Sequence, residues 1–79
     1  MKQKDSTLLN KFGALVADVD PGTPAEVAGM QPGDIVVAIN NQPVPSAGAL
    51  DQAINATNKQ QPILLEVERN NVRMFATLQ

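Results

Sequence analysis

Apolar and polar positions alternate most regularly in PILLEVERNNVRMFATLQ, residues 62–79. The run divides at Asn70-Asn71, a pair suited to a two-residue type I′ turn, so it predicts a β-hairpin. In that register Arg69 faces Val72, Glu68 faces Arg73, Val67 faces Met74, Leu65 faces Ala76 and Ile63 faces Leu78. One face is then apolar and the other carries an opposite-charge pair, and a slip of one residue would spoil both. GALVADV (13–19) and IVVAI (35–39) mix β-branched and apolar residues between turn formers, as mostly buried strands do. Leu8 and Leu9 form the short apolar centre of a brief strand within residues 5–11.

Between these strands the punctuation is specific. Thr23 before Pro24, with Glu26 in the first turn, is a helix start, and Gly29 ends that helix after one or two turns. Pro32 and Gly33 occupy the centre of a type II turn in QPGD (31–34). Residues 40–42 form a turn, and Pro43-Val44-Pro45 is extended, because a residue before proline is pushed out of the α region. Ser46 caps a second helix with Leu50 and Ile54 at i,i+4 and Ala47, Ala49 and Ala53 as small neighbours, fraying near Thr57-Asn58. The element order predicts an α+β fold of roughly five strands, an open sheet or partial barrel covered by one short and one longer helix.

Length allows one domain of this kind. The chain has 79 residues, and one this short buries only about 60% of its unfolded surface. Residues 1–12 read as an N-terminal segment, partly linker or truncated first strand, and residues 13–79 as the domain, cut from a longer polypeptide. A net charge of -2, with acids and bases interspersed, offers no basic stripe for nucleic acid. The apolar runs are too short to insert in a membrane, and Lys2 and Lys4 are not followed by a signal-peptide core.

The side-chain inventory argues against catalysis. The chain has neither histidine nor cysteine, so no Ser-His-Asp or Cys-His constellation is available. Asp18 and Asp20 lack the further ligands of a calcium loop, and the glycines fit no phosphate or dinucleotide fingerprint, so no metal or cofactor is expected. Asp34, alone between a turn and a buried strand, reads as an acceptor for nearby backbone N–H groups that fixes how that strand begins. What remains is a groove beside the second helix, where an extended peptide adds to a free sheet edge as one more strand. The expected walls are Ala47, Asp51 and Ile54 on the helix and Leu8 and Leu9 on the short N-terminal segment.

GALVADVDPGTPAEVAGMQPGDIVVAINNQPV resembles the heart of a bacterial PDZ domain. Thr23-Pro24-Ala25, Ala28-Gly29-Met30, Gly33-Asp34-Ile35-Val36 and Asn40-Asn41 follow the family pattern in order and spacing, and the likeness extends over residues 13–79. It is greatest to the PDZ domains of HtrA/Deg-type envelope serine proteases. The resemblance implies a PDZ-like partial barrel that captures C-terminal or extended segments of substrates and relays their binding to an attached protease domain, in a bacterial periplasm or envelope. It also implies that Ala47, Asp51 and Ile54 form the groove wall. The family's hydrophobic-Gly-hydrophobic carboxylate loop, which precedes the groove strand, has no counterpart in STLLNK (6–11), so either the loop is cut away before this sequence or the domain does not clasp a terminal carboxylate. That departure leaves open an alternative: an adaptor that packs against neighbouring subunits in an oligomer or secretion complex without taking peptide.

Overall fold

The computed structural model describes residues 2–5, 12–56 and 61–78. Among them, six strands form one open antiparallel sheet, with two helices: β1 (Lys2–Asp5), β2 (Ala14–Asp18), α1 (Pro24–Val27), β3 (Ile35–Ile39), β4 (Gln42–Pro43), α2 (Ala47–Ala56), β5 (Ile63–Arg69) and β6 (Val72–Leu78). The sheet order is β1-β2-β3-β5-β6, with β4 hanging on β3. This is the α+β arrangement expected from the pattern. Leu8 and Leu9, the centre of the expected first strand, lie outside the described residues. The first strand that is described, β1, is the charged run Lys-Gln-Lys-Asp, within the segment read as linker or truncated strand.

The hairpin forms in the predicted register, from Arg69↔Val72 to Ile63↔Leu78. Asn70 and Asn71 have φ of 52° and 65°, the double left-handed geometry of a type I′ turn. Asn40 and Asn41, at 48° and 67°, make a second such turn between β3 and β4. Asn40 also carries β3 pairing one step further: its N–H donates to the Leu64 carbonyl at 2.8 Å, and its Oδ1 accepts from the Leu64 N–H at 2.9 Å. Alternation along β5 buries Leu65 and Val67, and they meet Val16, Val36, Val44 and Leu50 in a single core. Leu50 is the α2 residue at its centre, with no exposed surface.

Gly13 starts β2 at a point where no side chain fits. Its φ is 123°, and a Cβ there would stand 2.6 Å from the Val36 carbonyl oxygen. Chain crossing at this distance is what lets β2 lie close against β3.

Asp34 answers the question its position raises. It ends the type II turn, in which its N–H donates to the Gln31 carbonyl at 3.1 Å and Gly33 takes φ 96°. Its carboxylate, 1% exposed, accepts from the Gln31 N–H at 2.9 Å as expected. It also receives a forked pair from Arg69, Nε to Oδ1 and Nη2 to Oδ2, each at 2.7 Å. The same Nη2 donates to the Gly29 carbonyl at 2.9 Å. The hydrogen bond to Asp34 raises the Arg69 pKa above its ordinary value; burial opposes this, and the Asp34 charge adds to it. A raised folded-state pKa means that the stabilisation is fully present below the ordinary arginine value and is lost only as pH climbs past the raised one. The guanidinium therefore stays charged throughout the neutral range.

Two substitutions test this framework. Leu50→Ala is expected to lower unfolding free energy by about 2–5 kcal/mol in denaturant titration, through the cavity it opens under α2. Arg69→Met is expected to lower the melting temperature by stranding a buried carboxylate, and adding Asp34→Asn to it is expected to restore part of the loss. A further fall in the double variant, equal to the sum of the singles, would show that the pair is not coupled.

Candidate functional site

β1 is the terminal strand of the sheet order, so among the described residues no strand pairs with its outer edge. Its inner edge is held by β2, with Lys4 opposite Leu15 and Asp5 opposite Ala14, and the register shifts between Lys2 and Gln3. α2 packs against β1, β2 and β3, so the helix lies beside the outermost strand of the sheet. Backbone N–H and C=O groups along such a rim are unpaired and directional, and an extended segment satisfies them by adding as a strand.

The helix that makes the far wall is firmly placed. Ser46 Oγ accepts from the Ala49 N–H at 3.2 Å, and the Ser46 carbonyl accepts from the Leu50 N–H at 3.1 Å, which sets the first turn. Just before it, the Pro45 carbonyl accepts from the Gly13 N–H at 3.3 Å, and the Val44 N–H donates to the Val37 carbonyl at 2.9 Å. The start of α2 is thus tied to the start of β2 and to β3. Ala47 and Ile54 are half-buried and pack on the core, while Asp51, one turn after Ala47, is exposed.

Of the residues expected at a groove here, Ala47, Asp51 and Ile54 lie on α2, and Leu8 and Leu9 lie outside the described residues. The strand facing the helix is β1, whose Gln3 was not anticipated. Gln3 Nε2 donates to Asp51 Oδ1, joining strand and helix directly. Hydropathy alone does not flag Lys-Gln-Lys-Asp as a strand, since it contains no apolar residue; pairing with β2 is what makes it one.

Other chemistry is scarce. Every strong donor or acceptor around Asp34 is engaged within the fold, so that carboxylate is structural. Among the described residues no group of three or more acidic, histidine or cysteine side chains is arranged to hold a metal. Among the described residues no helix is long and apolar enough to cross a membrane. A separate dish of about 640 Å³ lies on the sheet face turned away from α2, where Phe12, Leu64 and Phe75 surround the Arg73–Glu66 ion pair of 2.8 Å. Asn41, Pro43 and Glu68 also line it, so it is a broad surface of mixed polarity.

Residues 15–69 match the family model described as PDZ domain. A probable periplasmic serine endoprotease, DegP-like, from Brucella suis biovar 1 (strain 1330) is 38% identical over 68 residues, which cover 84% of this chain and 13% of that protein. The magnetosome formation protease MamE of Paramagnetospirillum magneticum (strain ATCC 700264 / AMB-1) is 46% identical over 67 residues, covering 84% of this chain and 9% of that protein. The chain therefore spans only a small part of these relatives. Among solved structures, the HtrA3 PDZ domain bound to a phage-derived ligand (FGRWV) superposes with a TM-score of 0.86 at 27% identity, over 99% of this chain and 78% of that one.

An open rim has a dynamic signature. Amide hydrogens of β1 are expected to exchange at least about tenfold faster than those of β3 and β5, which are paired on both sides, when exchange is followed by NMR. Equal protection would mean that the rim of β1 is covered.

Proposed function

The chain belongs to the PDZ domain family, and from that membership we propose that it is a non-catalytic peptide-binding module that takes extended or C-terminal segments of substrate proteins by strand addition to β1. What supports this reading is that among the described residues no strand pairs with the outer edge of β1, and that α2, which carries Ala47, Asp51 and Ile54, packs against β1. Main-chain hydrogen bonds to β1 supply affinity that is indifferent to sequence, and the helix wall supplies selection. We further read it as a regulator of an attached serine protease domain in the periplasm or cell envelope, since both relatives above are named as proteases and the Brucella one as a periplasmic serine endoprotease. In that role peptide in the groove signals substrate to a catalytic domain elsewhere in the polypeptide.

The adaptor reading retains one supporting observation. Phe12 and Phe75, 54% and 63% exposed, flank the dish on the outer face, and contiguous exposed apolar surface marks a contact site. Packing of that face against an attached domain or neighbouring subunit is compatible with peptide capture on the other side of the sheet.

Titration with the pentapeptide FGRWV, monitored by amide chemical shifts, tests the main reading. Saturable binding with a dissociation constant below about 1 mM is expected, with the largest shifts at Gln3, Lys4 and the α2 residues Ala47, Asp51 and Ile54. No shift at millimolar peptide, or shifts confined to Phe12, Leu64 and Phe75, would overturn it.

A further inference from the structure

The α2 sequence AGALDQAINA carries a single charged residue, Asp51, whose partner lies on β1. Asp51 is exposed at the level where Gln3 of β1 reaches over to it. The carboxylate is an anion whose donor there is a neutral amide, the weaker of the partners that a carboxylate takes. A segment lying along β1 beside Gln3 runs past this oxygen, and any of its side chains that displaces Gln3 must return a donor to it.

Spacing sets which ligand positions meet the helix. Alternate residues of a strand are about 6.6–6.8 Å apart; the four helical residues from Ala47 to Asp51 rise about 6 Å and the three from Asp51 to Ile54 about 4.5 Å, so successive inward-pointing ligand side chains meet Ala47 and Asp51 nearly in step and the next falls just past Ile54. Ala47 is small and leaves room for a large apolar side chain, and Ile54 offers an apolar surface to a second. Between them lies the anion.

Resting on the peptide-binding reading above, we infer that Asp51 is a specificity-determining residue that selects an arginine or lysine flanked at alternate positions by apolar residues, the incoming cation displacing Gln3 from the carboxylate. The pattern, apolar-x-basic-x-apolar, is the same in either chain direction and so does not depend on the polarity of the added strand. A long cationic side chain repays the lost Gln3 bond with a charge-assisted one, an aliphatic one leaves the carboxylate to water, and an acidic one meets like charge.

The test uses three acetylated pentapeptides, Leu-Thr-X-Thr-Leu, with X arginine, its neutral isostere citrulline, or glutamate, titrated into the chain by calorimetry. The arginine peptide is expected to bind about three- to fivefold tighter than the citrulline one, the range of a solvent-exposed ion pair, and glutamate weakest. Raising salt should narrow the gap. Asp51→Lys should invert the order of arginine and glutamate, and Asp51→Asn, isosteric and safe for folding, should make arginine and citrulline equal. Gln3→Ala should keep the order and tighten the arginine peptide. Equal binding of all three peptides to the wild-type chain, or an undiminished arginine preference in Asp51→Asn, overturns the inference while leaving strand addition standing. Failure of all three peptides to bind removes strand addition, and this selectivity with it.

Discussion

The Arg69–Asp34 fork is the constraint on which the rest of the structure depends. Asp34 is almost fully buried, and a buried carboxylate is tolerated only when its lone pairs are met. Two guanidinium nitrogens and the Gln31 N–H meet them. The fork closes in one sheet register only: β5 pairs with β3 so that Glu68 lies opposite Ile35, and Arg69, the next residue, reaches back over the turn. A slip of one residue would send the guanidinium to the other face of the sheet and leave the anion alone. By holding the Gly29 carbonyl as well, the same side chain fixes the end of the α1 segment. Turn, β3 and the hairpin are thereby placed as one frame, and α2 packs on that frame.

The rim of β1 is subject to two opposing demands. A free strand edge is what a strand-adding module needs, and it is also what makes proteins aggregate edge to edge. The composition of β1 reconciles them, since Lys-Gln-Lys-Asp has backbone groups to offer but no apolar side chain to draw in a stray strand. In the proposed groove the apolar surface is kept instead on α2, at the partly buried Ala47 and Ile54. Separating hydrogen-bonding rim from apolar wall in this way makes capture conditional on both.

Legibility in the sequence followed how local each signal is. Alternation and the Asn-Asn turn specified the hairpin pair by pair, and Ser46, Thr23 and the Pro32-Gly33 turn specified where the helices and β3 begin, because caps and turns act within four residues. Asp34 was legible as an acceptor for its neighbour Gln31 but not as the partner of Arg69, since 35 positions separate them and nothing in the spacing links a turn to a hairpin end. Arg73 illustrates the same limit: its backbone lies opposite Glu68, yet its side chain leans diagonally to Glu66. Least legible was β1, which is a strand only because β2 offers it an edge, and with it the groove partner Gln3. The extent of α2 was accessible from helical periodicity, and the strand it packs against was not.

Affinity at such a site is bounded by the length of the rim. β1 has four residues, and about half of the N–H and C=O groups of a strand point to one side, so an added segment gains only a handful of backbone hydrogen bonds. Each is worth about 0.5–1.5 kcal/mol net, against an association cost of at least about 4 kcal/mol. Backbone pairing therefore leaves little surplus, and contacts with α2 decide whether a segment stays. An apolar side chain seated beside Ala47 or Ile54 contributes at roughly 25 cal/mol per Å² removed from water, which is enough to move binding from negligible to measurable. Asp51 lies in the open and shifts the balance less. It ranks segments that the apolar wall has already admitted, a division of labour that follows from its exposure and from the burial of its neighbours on the same helix.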